Sequence, residues 1–246
     1  MRVTLRFYEE LNDFLPKERR KVTFERELPE TTSVKDLIEG CNVPHTEVDL
    51  ILVNGRSVDF DYQVQEGDHV SVYPVFESMD ISGITRLQER PLRNLRFLCD
   101  VNLGKLARYL RMAGFDTAYR NDAKDPELIE QMVAEDRALL TRDRKLLMHN
   151  AVAKGYFVRA TKADDQLEEV LTRFDLYTMI TPFIRCPDCN GLLEKVDKEE
   201  IRERLEPLTE RYFSDFSRCR KCDRIYWAGS HRKRLPDKVS GLLFGE

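Results

Sequence analysis

Two Cys-x-x-Cys motifs in the last quarter of the chain have the residue types and spacing of a zinc site. They span 186–189 and 219–222 and are separated by 29 residues. A two-residue spacer lets both sulfurs of one motif reach the same ion, and Zn²⁺ in structural sites prefers four tetrahedral ligands. We therefore predict that a structural Zn²⁺ is bound by Cys186, Cys189, Cys219 and Cys222. Four protein ligands leave no open position for catalysis.

Aspartates that follow predicted strands form a second chemical pattern, in the middle of the chain. Asp100 comes directly after one predicted strand and Asp143 follows another, and further acids occur in the neighbouring loops at 122, 125, 164 and 165. In a parallel sheet, ligands collect beyond the carboxyl ends of the strands. Carboxylate oxygens are the ligands that Mg²⁺ prefers, and Mn²⁺ is similar. Such an ion can activate water and stabilise the charge on a phosphodiester.

The same aspartates have a structural alternative. Asp100, Asp125, Asp143 and Asp164 stand where a helix needs an N-cap, and Pro126 suits the first helical turn. Serine, threonine and asparagine cap helices as well as aspartate does. Because all four of these positions are aspartate, the pattern favours a carboxylate cluster over capping alone. Capping alone would still explain any one of them.

The segment after the second cysteine motif combines basic and aromatic residues. It contains Tyr226, Trp227 and Arg232. Arginine and lysine neutralise phosphates, and aromatic rings stack on unpaired bases, which predicts RNA contacts here. Alternatively, the two aromatic side chains complete the small core of the zinc module.

Composition excludes a uniformly basic coat for nucleic acid, since 40 basic and 44 acidic residues give a net charge of −4. The charge is uneven: residues 1–80 carry a net −8, whereas residues 217–246 carry a net +5. A polyanion would be attracted to the far end of the chain. Ordinary variation in the charge of solvent-exposed surfaces would also explain this gradient in net charge.

The sequence predicts a cytoplasmic protein with no membrane partner. No apolar run is long enough to cross a bilayer, and residues 1–7 alternate like a strand rather than forming the apolar block of a secretory signal. The six cysteines are then expected to be reduced thiols rather than disulfides.

The first 77 residues have the pattern of a small α/β domain with the order ββαβββ. Strands are predicted at 2–8 and 21–25, a capped helix at 34–38, a hairpin turn at Asn54-Gly55 and a last strand at 69–73. This order resembles the β-grasp sulfur-carrier and ubiquitin-like fold. Because the Gly-Gly end of those carriers is missing, a binding or docking role with a protein partner is expected instead.

Residues 78–94 are predicted to be a linker, and residues 95–180 alternate between strands and helices. Four βα units predict an open parallel sheet covered on both faces. A helix is predicted at 144–154, and a charged, helix-prone stretch covers 195–208. The predicted zinc ribbon spans 181–235 and a tail spans 236–246, with residues from 232 onwards expected to be loosely ordered.

Residues 125–144 resemble the second half of a PIN-type nuclease, and residues 97–111 together with 114–116 resemble the mutator-type PIN-like RNase family. Members of that family combine a ubiquitin-like head, a PIN-like RNase domain and a zinc-ribbon tail. The resemblance implies a PIN-like α/β fold in which Asp100, Asp125 and Asp143 match the acidic motif that holds Mg²⁺ or Mn²⁺. Asp122 is the candidate for a further acid.

The sequence thus predicts a divalent-metal-dependent ribonuclease that hydrolyses RNA phosphodiester bonds. Arg108, Arg111 and Arg142 are the residues expected to orient phosphate. The main alternative is a noncatalytic RNA-binding or ribosome-associated adaptor. A phosphotransfer domain is disfavoured because the chain has no Gly-rich phosphate loop.

Overall fold

The computed structural model describes residues 1–29, 31–74, 85–87, 95–227 and 236–244. Most of the predicted linker at 78–94 therefore lies outside the described residues. The chain divides into two compact units, and each is considered by itself. The first contains Met1–Asn94 and Asp125–Phe157, and the second contains Leu95–Lys124 and Val158–Glu246.

The strands of the described residues are β1 (Arg2–Phe7), β2 (Phe24–Glu27), β3 (Val48–Val53), β4 (Arg56–Ser57), β5 (His69–Pro74), β6 (Phe97–Cys99), β7 (Thr117–Tyr119), β8 (Ala138–Thr141), β9 (Gly155–Phe157), β10 (Leu193–Val196), β11 (Phe216–Cys219) and β12 (Ile225–Trp227). The α-helices are α1 (Val34–Glu39), α2 (Gly104–Met112), α3 (Asp125–Glu135), α4 (Arg144–Leu147), α5 (Ala163–Arg173), α6 (Lys198–Ile201), α7 (Pro207–Tyr212) and α8 (Asp237–Phe244).

The first five strands form the predicted β-grasp head. Their order in the sheet is β2-β1-β5-β3-β4, with β1 and β5 parallel and the other pairs antiparallel. Alternation along β1 buries Val3, Leu5 and Phe7 in a core that also contains Leu37 and Ile38 of α1. The predicted order ββαβββ is confirmed.

Local sequence signals set the boundaries of the head's elements. Helix α1 begins after Ser33, whose hydroxyl accepts from the backbone N–H of Asp36 at 3.1 Å and donates to its carboxylate at 2.7 Å. The hairpin between β3 and β4 turns at Asn54 and Gly55, which have φ values of 50° and 79°. Both lie in the left-handed region that a type I′ turn requires.

Strand β6 pairs in parallel with β7 in the second unit, and strand β8 pairs in parallel with β9 in the first. The predicted parallel α/β architecture is confirmed. Strand β8 is buried at all four positions, as expected for a strand of a parallel sheet that is covered on both faces.

Helix α4 is much shorter than the predicted helix at 144–154. It ends at Leu147 because the following residues form a turn held by a side chain. The ring Nδ1 of His149 accepts from the backbone N–H of Ala151 at 3.2 Å, and the N–H of Val152 donates to the carbonyl of His149 at 2.9 Å. Such local bonds compete with helical ones.

The stretch at 195–208 is not a single helix. Lys195 and Val196 pair with Ser217 and Phe216 of β11, so strand pairing overrides the helix propensity of the charged residues. Pro207 then begins α7, since proline fits the first turn of a helix but cannot continue one.

The end of the chain is more ordered than predicted. Residues 237–244 form α8, and Lys238 Nζ lies 2.5 Å from a carboxylate oxygen of Asp165 and 2.6 Å from one of Glu168 on α5. These ion pairs join α8 to α5 in the second unit.

The described helices are short. The longest, α3 and α5, have 11 residues each, and none in the described ranges combines the length and apolar character needed to cross a membrane.

Gly114, between α2 and β7, generates a stability prediction. Its φ is 103°, and a Cβ built there would lie 2.5 Å from the carbonyl oxygen of Thr181. Gly55 also has a positive φ, but a Cβ there would meet nothing within 4 Å. We expect Gly55→Ala to destabilise the fold by about 1 kcal/mol through backbone strain alone. Gly114→Ala adds a steric overlap, so we expect a loss of more than about 2 kcal/mol.

Denaturant unfolding followed by circular dichroism would compare the two variants. Equal losses of unfolding free energy would contradict the close approach of Thr181 to Gly114.

Candidate functional site

The structure brings the four cysteines of the two motifs together. All four sulfurs lie within 4.8 Å of one another, with Cys186 and Cys222 at 3.7 Å and Cys189 and Cys219 at 3.4 Å. Within the described ranges, this is the one group of three or more histidine, cysteine, aspartate or glutamate side chains that meets this distance. The group could hold a metal ion.

The surroundings of Cys219 fit a bound metal. Burial raises the pKa of its thiol, but the backbone N–H groups of Cys222 and Lys221 point to the sulfur at 3.5 and 3.4 Å and lower that pKa to about 7. A thiolate is the form that binds zinc. At Gly191, a Cβ would lie 2.9 Å from the sulfur of Cys219 and 3.3 Å from that of Cys189, so the cradle needs a glycine.

Tyr226 supports the sulfur group rather than presenting its ring for base stacking. The side chain is buried, and its hydroxyl lies 2.9 Å from the sulfur of Cys186 and 3.1 Å from a carboxylate oxygen of Asp188. Burial, followed by the contact with Cys186, raises the pKa of Tyr226. The predicted RNA contact of Tyr226 is thus corrected to a structural role.

Trp227 is half-buried and belongs to a small apolar cluster. Its ring centroid lies 6.3 Å from that of Phe213 and 6.4 Å from that of Phe216, beside the buried Val196 and Ile201. Both aromatic residues thus take part in the packing of the zinc module, and base stacking on the half-exposed ring of Trp227 stays a prediction. Arg232, the third predicted RNA contact of this segment, lies outside the described residues.

Asp188, inside the first cysteine motif, is paired with two arginines. Arg108 Nη1 on α2 lies 2.8 Å from its Oδ1, and the guanidinium of Arg224 contacts its Oδ2. Burial opposes ionisation, but the two guanidinium groups hold the pKa of Asp188 below its ordinary value. Arg108, predicted to orient phosphate, is engaged in this ion pair, with 43% of its side chain exposed.

Arg111 has a different role from the predicted one. Its side chain is buried, with 5% exposed. Nε donates to the carbonyl of Thr117 at 2.8 Å, and Nη1 donates to the carbonyls of Pro187 and Asp188 at 3.2 and 2.9 Å. The guanidinium is used to join α2 to β7 and to the first cysteine motif, so it is not available to RNA phosphate.

A second set of polar contacts joins the cysteine module to the start of β7. The side-chain amide of Asn190 donates to Asp116 Oδ1 at 2.8 Å and accepts from the backbone N–H of Thr117 at 3.1 Å. Arg185 Nη2 lies 3.3 Å from Asp116 Oδ2. The sequence analysis assigned no structural role to these residues; the Asn190-Gly191 pair directly after the motif was the available signal.

Two of the predicted catalytic acids lie in the second unit. Asp100 is buried, with 5% exposed, and its Oδ1 accepts from the backbone N–H of Val101 at 2.5 Å, immediately before the turn that leads into α2. Asp122 is exposed and lies 3.5 Å from Arg120.

The other two lie in the first unit. Asp143 caps α4 by accepting from the backbone N–H groups of Lys145 and Leu146 at 2.8 and 3.4 Å, and Asp125 begins α3. The capping alternative is thus realised for Asp100 and Asp143. Binding of one ion by Asp100, Asp125 and Asp143 stays a prediction, as does the phosphate contact of Arg142, which is half-buried beside Asp143.

The three carbonyl contacts of Arg111 predict a large loss of stability in Arg111→Lys. A lysine cannot reproduce the planar fork of donors, and unpaired buried carbonyls should lower the unfolding free energy of the second unit by about 2 kcal/mol. Arg108→Ala is the matched control on the same helix, because a half-exposed ion pair contributes less than about 1 kcal/mol. Fluorescence of Trp227, the single tryptophan, reports unfolding of this unit. Equal effects of the two substitutions would contradict the role of Arg111.

Comparisons with known proteins identify the two main parts of the chain. Residues 95–239 match the Mut7-C RNase domain, and residues 1–80 match the Mut7-C ubiquitin domain. A solved structure, that of SAMP1 from Haloferax volcanii, is 14% identical; the match covers 32% of this chain and 100% of that one, with a TM-score of 0.26. No curated protein matches the chain. Because the RNase domain model covers more than half of the 246 residues, the protein belongs to the Mut7-C RNase domain family.

Proposed function

We propose that the protein is a divalent-metal-dependent ribonuclease that hydrolyses RNA phosphodiester bonds. The observation that carries the proposal is the match of residues 95–239 to the Mut7-C RNase domain, a range that contains Asp100, Asp125 and Asp143. Carboxylate oxygens are the donors that Mg²⁺ prefers and that also suit Mn²⁺, so these side chains fit such an ion chemically.

The carboxylates of Asp100 and Asp143 are oriented by the backbone. In each, Oδ1 accepts from N–H groups at the start of a helical segment, which limits rotation of the carboxylate. In the proposed site, Asp100, Asp125 and Asp143 hold the ion. When bound, the metal activates water and stabilises negative charge on the phosphodiester.

The four-cysteine group is proposed to bind Zn²⁺ with a structural role. A set of four sulfur ligands suits tetrahedral zinc and leaves no ligand position for substrate. Through Asp188 and the carbonyl acceptors of Arg111, the loaded group would support α2, the helix that follows Asp100.

RNA is the proposed substrate. The basic residues near the end of the chain would attract its negatively charged phosphates. Residues 217–246 contain eight basic and three acidic residues. Arg108, Arg142 and Arg232 are the candidates for phosphate contacts. A protein partner is proposed for the head.

A noncatalytic RNA-binding adaptor is the competing function, favoured by the helix caps that Asp100 and Asp143 form. The full-length, zinc-loaded protein incubated with labelled RNA and either Mn²⁺ or EDTA separates the two functions. Cleavage that occurs with Mn²⁺ but not with EDTA supports the nuclease, whereas RNA binding without cleavage in either condition supports the adaptor.

Asp100→Asn is expected to lower the Mn²⁺-dependent cleavage rate by at least about 100-fold, because a metal ion contributes several kcal/mol to the transition state. RNA binding should be retained, as measured by gel shift in EDTA. The amide keeps an oxygen that accepts from the Val101 N–H, so the helix cap is preserved.

Asp197→Asn provides the matched control. Asp197 is an exposed N-cap residue before α6 whose side chain makes no capping bond. Its substitution should leave cleavage unchanged. Full cleavage by Asp100→Asn would refute the assignment of Asp100 as a metal ligand.

A further inference from the structure

The guanidinium of Arg144 lies against two aromatic rings of the first unit. Its central carbon is 4.9 Å from the ring centroid of Phe14 and 5.4 Å from that of Phe157. The two rings meet edge to face with centroids 5.3 Å apart, and Nη1 donates to the carbonyl of Phe14 at 3.2 Å. A cation near two ring systems is held by electrostatic attraction as well as by packing.

Both rings belong to or contact the core of the ubiquitin-like head. Phe14 is buried in the head's core, and Phe157 of β9 packs against that core. The backbone N–H of Phe157 donates to a carboxylate oxygen of Glu47 at 2.6 Å, and Glu47 is buried in the head. Arg144 is therefore held by one ring of the head and by a second ring that packs against the head's core.

A second contact joins the head to residues 125–157 of the RNase domain, close to α4. The ring of His45 bridges a carboxylate oxygen of Glu39 at 2.6 Å and the carbonyl of Val152 at 2.9 Å. Val152 follows the turn that ends α4. The head thus contacts Arg144, the first residue of α4, and Val152, which lies beyond the turn that follows the helix.

Arg144 directly follows Asp143. The backbone N–H of Asp143 donates to the hydroxyl of Thr141 at 2.9 Å, and its carboxylate caps α4. Internal hydrogen bonds define the shape of this turn, but the Arg144 side chain connects it to the head.

We propose that Arg144 is a positioning residue through which the ubiquitin-like head sets the placement of the Asp143 carboxylate for the divalent metal. The inference rests on the proposed function, since it takes Asp143 as a metal ligand. It gives the head a role inside the RNase domain in addition to any partner it binds.

Mn²⁺ binding to the full-length, zinc-loaded protein tests this role by calorimetry, which does not depend on activity. Arg144→Met should weaken Mn²⁺ binding about tenfold, the lower end of the range for residues that support metal ligands. Arg144→Lys, which keeps the charge near both rings, should restore part of the affinity. Cleavage by Arg144→Met should approach the wild-type rate at saturating Mn²⁺.

Arg19→Met is the matched control. Arg19 lies over Phe24 with its guanidinium carbon 5.1 Å from the ring centroid, so its loss removes the same kind of contact elsewhere in the head. Its Mn²⁺ affinity should equal that of the wild type. If Arg144→Met fails to fold, Arg144→Lys and Phe14→Leu decide the question in the same measurement, each with an expected loss of Mn²⁺ affinity.

The outcomes separate the two proposals. Mn²⁺ binding and RNA cleavage by the wild type, with unchanged affinity in the Arg144 variants, would refute the positioning role alone. A wild type that neither binds Mn²⁺ nor cleaves RNA would refute the proposed function as well.

Discussion

The buried guanidinium of Arg111 is the interaction on which the organisation of the second unit depends. A buried arginine is stable only when its donors are paired, and Arg111 reaches carbonyls on β7 and on the first cysteine motif. Those carbonyls belong to Thr117, Pro187 and Asp188, so one side chain from α2 fixes the cysteine module and the strand together. The ion pair of Arg108 with Asp188 and the contacts of Asn190 with Asp116 and Thr117 reinforce the same junction.

A metal bound by the four cysteines would therefore act beyond its own module. The carbonyls of Pro187 and Asp188 can accept from Arg111 only if the first motif keeps its conformation, and a bound ion would restrain that motif. Helix α2 starts one short turn after Asp100, the acid proposed to bind the catalytic ion. The proposed zinc and the proposed catalytic site would then be connected through protein contacts, with no shared ligand.

The parts of the fold predicted from the sequence are those specified locally. Asn54-Gly55 demands a positive φ at two positions, Ser33 supplies its own cap, and a Cys-x-x-Cys motif holds two sulfurs close together. The role of Arg111 could not be predicted in the same way, because a basic residue on a helix has the same pattern whether it faces solvent or a carbonyl 76 residues away. The prediction of a single helix at 195–208 was wrong for a similar reason, since the pairing of Lys195 and Val196 with β11 depends on a distant segment.

Hydrogen–deuterium exchange, compared between the zinc-loaded protein and the same protein after chelation, tests the connection between the cysteine module and α2 most directly. Removing the metal should accelerate exchange of the backbone amides of α2 and β7, because the carbonyl acceptors of Arg111 lose their fixed positions. Helix α1 of the head provides the internal reference and should keep its protection. Unchanged protection of α2 and β7 in a fully chelated protein would contradict the account.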